Sequence, residues 1–440
     1  MGKKVAKFGG SSLADAKQFK KVADIIKADD ERVYVVPSAP GKRTSDDIKV
    51  TDMLYALHEK AGDAQAFEAQ LAAIQQRYDG IIAGLNLQYD ISAEMQEIKQ
   101  GLLNGKNADY AASRGEYLSG KVLSAYLGFD FIDPAQFIKF NAQGEFDAEL
   151  TNTMLSQELQ KHEKAVIPGF FGSLPNGEVK TFSRGGSDVT GAIVARAGNV
   201  SLYENWTDVS GFLMCDPRIV ENPKGIAVLS YRELRELSYM GATVLHDESI
   251  FPVRKAGIPI NVRNTNRPQD EGTTIMNDVP EDAHTGLITG IAGRKGFLSI
   301  TIEKDLMNNE RGFCRKLLSI LEKHDVSIEH MPTGIDTVSM VVEQSQVANG
   351  KLQAILDEIT ATCQPDTLDV SKDIAMVATV GHGMQQRIGM AARLFAALAE
   401  NNVNIRMIDQ GSSELNIIIG IAEADFEKAL RGIYNAFCTE

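Results

Sequence analysis

The chain has 440 residues, of which 43% are hydrophobic and 24% charged, and a formal net charge of −14. At roughly 150 residues per domain this length exceeds one ordinary core and points to about three domains, while the acidic surplus excludes nucleic acid as the main partner, because a phosphate backbone demands basic surface. The four cysteines, Cys215, Cys314, Cys363 and Cys438, lie far apart with no CxxC spacing, so neither a disulfide framework nor a zinc site is expected, and a reducing, cytoplasmic setting fits.

The N-terminus shows no signal-type apolar core and runs directly into a strand-like segment, KKVAKF at 3–8. An amphipathic helix is expected over DAKQFKKVADIIKA at 15–28, followed by a strand in RVYVVPSAP at 32–40 that proline turn residues end. Further strands are read at FDFID (129–133), KAVIPGF (164–170), VSLYEN (200–205) and IPINVRN (258–264), with helices between them. This alternation predicts an α/β domain with a mainly parallel sheet. SYRELRELSYMG at 230–241 opens with Ser230 and carries Glu233 three residues on, a capping-box pattern, and Gly241 supplies a stop. The turn-rich, acidic stretch at 266–286 marks the boundary, so the first domain is expected to span 1–280.

An internal repeat follows. RGFCRKLLSILEKHDVSIEHMPTG at 311–334 superposes on IGMAARLFAALAENNVNIRMIDQG at 388–411, with Gly312 on Gly389, Val326 on Val403 and Gly334 on Gly411. Each copy reads strand (FLSITIE, IAMVATV), helix, strand (VSIEHM, VNIRMI) and strand (TVSMVVE, LNIIIGI), which predicts two βαββαβ modules over 290–370 and 371–440. The C-terminal strand completes either the second module or the first. Phe313, Leu317, Leu318, Ile320 and Leu321 form one apolar stripe of the first helix. The most apolar helical stretch, AARLFAALA at 391–399, is short and interrupted by Arg393, so no membrane span is expected. Paired modules of this type suit ligand binding; duplication without function is the rival reading.

Four stretches of the first domain are rich in glycine together with charge or hydroxyl. In KFGGSS, Lys7 precedes Gly9 and Gly10, the reverse of a Walker loop, so any phosphate grip here is of another kind: glycines let backbone N–H groups approach an anion that the ammonium neutralises. An ordinary tight turn explains the same residues. In FSRGGSDVTGAIVARA, Arg184, two glycines, Ser187 and Asp188 open a helix whose positive end suits a carboxylate or phosphate, although Asp188 alone also reads as a helix cap. YENWTDVSGFLMCDPRIV combines a Trp-Thr-Asp turn after a strand with Arg218, while Trp206 reads as packing. Glu116 in SRGEYLS sits on a helix whose other face is apolar, where a solvated glutamate is the default.

Together these stretches resemble the amino acid kinase superfamily and, within it, the aspartate kinases. The likeness rests on KFGGSS, PSAPGK with VTDMLY, SRGEYLS, PGFFGS, FSRGGSD, WTDVSG, DPRIV and ELSYMGATVLH, and the terminal pair resembles ACT domains, so nearly the whole chain is covered. The resemblance implies an amino acid kinase-like α/β sandwich with a mainly parallel central sheet, followed by two ferredoxin-like ACT modules. It implies phosphorylation of the side-chain carboxylate of L-aspartate by ATP with Mg²⁺, giving 4-phospho-L-aspartate, the first step of lysine, threonine and methionine biosynthesis. Lys7 and Asp188 would then be catalytic. Aspartate is expected at Ser38, Thr51, Glu116, Phe170, Arg184 and Ser187, with Arg184 on a carboxylate and Glu116 on the ammonium. The nucleotide is expected at Lys7, Gly9, Gly10, Thr207, Asp208 and Arg218. No protein-held metal cluster is evident, so Mg²⁺ is expected on the phosphates.

The same resemblance implies feedback by an end-product amino acid at Met307, Ser327, Glu329 and Thr333, lysine first and threonine as the alternative, and a homodimer or dimer of dimers. Two departures weaken the nucleotide reading. Leu213 stands where the family often has tyrosine, and Thr243 where it often has lysine, leaving Lys224, Arg254 or Lys255 as substitutes. The rival functions are a kinase for another carboxylate, such as glutamate, and a non-catalytic amino-acid sensor.

Overall fold

The structure is a computed structural model that describes residues 2–183, 185–242, 245, 250–280 and 286–438. The chain divides into two compact units, Met1–Phe212 with Gly225–Leu234 and Val244–Val279, and Leu213–Lys224 with Arg235–Thr243 and Pro280–Glu440. Two stretches of the front portion thus group with the C-terminal residues.

The first unit contains β1 (Lys4–Phe8), β2 (Arg32–Pro37), β3 (Asp130–Phe131), β4 (Ala165–Val166), the hairpin of β5 (Phe171–Ser173) and β6 (Val179–Thr181), then β7 (Leu202–Thr207), β8 (Val228–Ser230), β9 (Ile260–Asn264) and β10 (Thr273–Met276). All but the hairpin form one sheet of order β3-β4-β2-β1-β7-β9-β10-β8, in which only the β9/β10 pair is antiparallel. The strands expected at the start, at 129–133, 164–170, 200–205 and 258–264 are all present within a few residues.

The helices follow the same chemistry. Helix α1 (Ala16–Lys27) starts where the Asp15 carboxylate accepts the Gln18 N–H at 2.9 Å, and buries Phe19, Val22, Ile25 and Ile26. Next come α2 (Val50–Glu59), α3 (Ala64–Gly84), α4 (Ser92–Leu103) and α5 (Ala108–Leu127). Asn107 caps α5 through the Tyr110 N–H, and Gly128 ends it at φ +72°. A core of Phe8, Phe19, Val35, Tyr78, Leu118 and Trp206 lies between α1, α3, α5 and the sheet, each large side chain contributing about 1.5–3 kcal/mol by burial. Then follow α6 (Pro134–Phe137), α7 (Ala148–Leu159), α8 (Gly186–Ala197), α9 (Tyr231–Tyr239) and α10 (Phe251–Ala256). The capping box of α9 forms: Ser230 N–H donates to Glu233 Oε2 at 2.8 Å and Glu233 N–H to Ser230 Oγ at 3.2 Å.

The second unit carries β11 (Gly290–Glu303), α11 (Phe313–Lys323), β12 (Thr337–Glu343), α12 (Lys351–Cys363), β13 (Thr367–Val380), α13 (Met390–Glu400), β14 (Ile405–Asp409), β15 (Asn416–Ala422) and α14 (Phe426–Cys438). The two repeat copies share one antiparallel sheet of order β12-β11-β13-β15-β14, joined from Gly290 opposite Val380 to Glu303 opposite Thr367. One copy buries Leu298, Ile300, Phe313 and Leu317, and the other Ala375, Leu394, Ile419 and Ile433. The strand expected at 326–331 is reduced to isolated bridges, His330 to Val341 and Thr333 to Val338. Pro332 has no N–H to continue the ladder. No helix among the described residues is long and apolar enough to cross a membrane.

Candidate active site

The carboxyl ends of β1, β2, β4 and β7 open onto one region, the usual ligand side of a parallel sheet. Each chain segment leaving a strand there is pinned to its neighbour. Gly9 N–H donates to Trp206 O at 3.0 Å, Ser38 N–H to Phe8 O at 3.1 Å, and Gly169 N–H to Pro37 O at 3.0 Å. Gly41 N–H donates to Gly10 O at 2.8 Å, and a Cβ on Gly41 would stand 2.7 Å from the Gly10 carbonyl carbon, so the two segments touch because residue 41 is glycine. Arg77, buried beneath, holds this crossing through Gly41 O at 2.7 Å and Asp47 Oδ2 at 2.7 Å. The Arg43 and Arg77 guanidiniums keep the Asp47 carboxyl far below the usual carboxylate range.

Lys7 lies on β1 directly opposite Asn205 of β7, and only 7% of it is exposed. Its ammonium stands 2.5 Å from Asp188 Oδ1 and 3.4 Å from Asn205 Oδ1, while Asn205 Nδ2 donates to Asp188 Oδ1 at 2.7 Å. Asp188 and Ser187 occupy the first turn of α8, where unpaired N–H groups and the positive helix end favour anions. Gly185 enters that helix at φ +54°.

Phe170 holds φ +83°, a conformation costing a non-glycine residue about 1–3 kcal/mol. It is fixed there by its N–H donating to Thr190 Oγ1 at 2.9 Å and by its carbonyl accepting the Phe182 N–H at 2.9 Å. Glu116 on α5 is 5% exposed, and its Oε2 has no hydrogen-bond partner among the described residues. Burial pushes its carboxyl up to about 8, against the pull of the Ala39 N–H. A buried, unpaired acceptor of this kind is costly unless a ligand donor meets it. Thr51 lies next to Val50, whose N–H donates to Pro40 O at 3.1 Å at the head of α2.

Thr207 ends β7 and donates to Asp208 Oδ1 at 3.3 Å. Arg218 belongs to the second unit and is forked onto Asp216, with Nη2 at 2.6 Å from Oδ2 and Nε at 3.0 Å from Oδ1. Arg184 and Thr243 lie outside the described residues. Of the substitutes for a lysine at 243, Lys224 donates to the Cys438 carbonyl, and Lys255 stands 4.0 Å from Glu149. Among the described residues no three His, Cys, Asp or Glu side chains converge on a metal position.

Of the expected effector residues, Ser327, Glu329 and Thr333 follow α11 along one loop. Ser327 N–H donates to Gln346 Oε1 at 2.7 Å, whereas Met307 is buried in the first copy's core. Sequence reading missed Asn205 and Arg77. The one available signal for Asn205 was a polar residue inside a central strand that also holds Glu204.

Residues 2–264 match the model of the amino acid kinase family, and residues 377–437 match that of the ACT domain. The chain is 38% identical to aspartokinase 3 of Bacillus subtilis over 99% of its own length and 98% of that protein's. A crystal structure of Clostridium acetobutylicum aspartate kinase, described as an important allosteric enzyme, is 54% identical with a TM-score of 0.91, covering 99% of this chain and all of that one. Aspartokinase III of E. coli, solved with aspartate and ADP in an R-state, is 26% identical with a TM-score of 0.74 and full coverage of both chains. Its complex with lysine and aspartate, a T-state, is 27% identical with a TM-score of 0.72, covering 98% of this chain and 99% of that one. The glycine-lined lysine at the end of β1, the anion-directed start of α8 and the paired C-terminal modules thus occur in a chain that belongs to the amino acid kinase family, among its aspartokinases.

Proposed function

We infer that this protein transfers the γ-phosphoryl group of ATP to the side-chain carboxylate of L-aspartate, giving 4-phospho-L-aspartate and ADP, and that an end-product amino acid regulates it through the ACT modules. The carrying observation is the nearly buried Lys7 ammonium between Asp188 and Asn205 at the carboxyl ends of parallel strands. The aspartate and ADP held by the E. coli relative support the choice of substrates.

A carboxylate oxygen of aspartate attacks the γ-phosphorus; the new O–P bond forms as the bond to the β,γ-bridging oxygen breaks, and ADP leaves with that electron pair. The nucleophile is already an anion, so no general base is required, and catalysis consists of alignment and charge neutralisation. Lys7 neutralises the phosphoryl oxygens in flight, and the amides of Gly9 and Gly10 approach them closely. Asp188 orients Lys7. Ser38, Thr51, Phe170, Arg184 and Ser187 bind aspartate, with Arg184 on a carboxylate, and the free Glu116 oxygen accepts its ammonium. Thr207 and Asp208 serve the nucleotide, and Mg²⁺ would ride on its phosphates and neutralise their charge.

Residues 1–280 form the catalytic part, and 290–370 with 371–440 the regulatory modules. Lysine is the effector, its side-chain ammonium on Glu329, alongside Met307, Ser327 and Thr333; the lysine bound to the E. coli relative supports the choice of ligand. The sheet edge at β14 suits pairing between two copies in a homodimer, whereas the β12 edge is covered by the 329–334 segment. The test is ATP consumption with aspartate, glutamate or neither, with trapping of the acyl phosphate by hydroxylamine. Turnover with aspartate alone is expected. Equal turnover with glutamate overturns the acceptor, and none with either points to a sensor.

A further inference from the structure

We propose that Asn205 is a positioning residue for phosphoryl transfer, holding Asp188 so that the Lys7 ammonium is oriented without being fully neutralised. This rests on Lys7 acting on the transferred phosphoryl group. A carboxylate only accepts and an ammonium only donates, so both contacts fix the amide the same way round: Nδ2 faces Asp188 Oδ1 at 2.7 Å and Oδ1 faces Lys7 Nζ at 3.4 Å. Two donors, Asn205 and Lys7, converge on one oxygen of Asp188. The amide donor takes up part of that oxygen's charge, and the amide oxygen offers the ammonium a second, neutral acceptor. Without Asn205 that oxygen loses its second donor, and more of its charge falls on the ammonium already 2.5 Å away. Lys7 then has less charge and fewer directions left for an incoming phosphate.

The placement is rigid. Asn205 is 3% exposed, lies in register with Lys7 on one side and Val262 on the other, and both its neighbours are central strands. The groups that face it are Lys7 from β1, Asp188 from α8 and the Tyr203 phenol, which donates to the Asp188 carbonyl at 3.1 Å. A neutral amide is the side chain that can bridge an ammonium and a carboxylate without adding charge. An aspartate of the same shape would set a second carboxylate against Asp188, and the pair would share the ammonium.

The test compares Asn205→Leu, Asn205→Asp and Lys7→Ala in steady-state assays with ATP and aspartate from pH 6 to 9, with thermal unfolding as the folding control. Asn205→Leu is expected to lower kcat about tenfold with the KM for aspartate unchanged, the scale of one lost hydrogen bond to a charged group. Asn205→Asp is expected to lose about 10²-fold at pH 8, recovering towards pH 6 as the carboxylate pair takes up a proton. A merely structural amide would lower Tm in both variants but leave the pH profile of Asn205→Asp parallel to that of the parent. Normal kcat in both Asn205 variants, with Lys7→Ala inactive, overturns the proposal alone. Full turnover in Lys7→Ala overturns the underlying reading of Lys7 instead.

Discussion

The Tyr239 phenol donates to Glu329 Oε2 at 2.6 Å, so the carboxylate assigned to the effector's ammonium already has a donor. Burial and the Glu329 carboxylate push the phenol up to about 12, which keeps the proton on Tyr239 at any physiological pH. An effector ammonium must displace it. Tyr239→Phe removes the competitor, and the lysine concentration for half-inhibition is expected to fall roughly tenfold, the scale of a hydrogen bond to a charged group. An unchanged or raised value in an inhibition titration would show that Glu329 does not meet the effector.

Glu116 gives a pH signature. Its carboxyl, raised by burial to about 8, is largely protonated in the free enzyme at pH 7. Meeting the aspartate ammonium favours the ionised form, so binding at pH 7 expels close to one proton. The sign follows: kcat/KM for aspartate rises with pH up to about 8 and then levels. Stability moves the opposite way, because between about 4.5 and 8 the folded state holds a proton that the unfolded state has lost, and raising pH through that window destabilises the fold. Calorimetry in buffers of different ionisation enthalpy reads the proton directly. Glu116→Gln should abolish both the release and the acid limb, and proton release that survives this substitution assigns the group elsewhere.

The residues legible in the sequence were those whose chemistry is local. Lys7 beside Gly9 and Gly10, and Asp188 opening a helix, stand out because glycine and charge adjoin in the chain. Asn205 and Arg77 do not, since one acquires its meaning from strand pairing and the other from a loop far away in sequence. The same limit governed strand lengths. The apolar run at 297–303 was visible, but β11 begins at Gly290, across an irregularity between Arg294 and Phe297 that includes Gly296 at φ +92°. Its partner β13 begins with residues 367–373, mostly exposed, whose polar pattern reads as a loop. Proline cut the other way at 332, where an apparent strand became bridges.

Lys7→Ala should fold, because the cavity it leaves lies at the open ends of the strands and Asp188 retains Asn205 as a donor. Turnover should fall by at least about 10²-fold, the scale of one lost electrostatic contact in a transition state. Single-turnover measurement with saturating ATP and aspartate separates this from weakened binding. Near-normal chemistry in the variant would remove Lys7 from the mechanism.

Stability of the first unit should depend on an ion pair beside the chain's single tryptophan. Arg32 meets Glu204 in a fork, Nε to Oε2 at 2.7 Å and Nη2 to Oε1 at 3.1 Å, and Trp206 Nε1 donates to the same Oε2 at 2.9 Å. Glu204 is 2% exposed, and Arg263 at 3.8 Å is its remaining cation among the described residues. Arg32→Met leaves a buried carboxylate with that distant partner, and is expected to cost about 3 kcal/mol in urea unfolding followed by Trp206 fluorescence. Adding Glu204→Leu removes the stranded charge as well as its desolvation, so the double variant should regain much of the loss. A double variant weaker than Arg32→Met by the full cost of a second deletion would mean that Glu204 stabilises the fold through Trp206 and Arg263 rather than through Arg32.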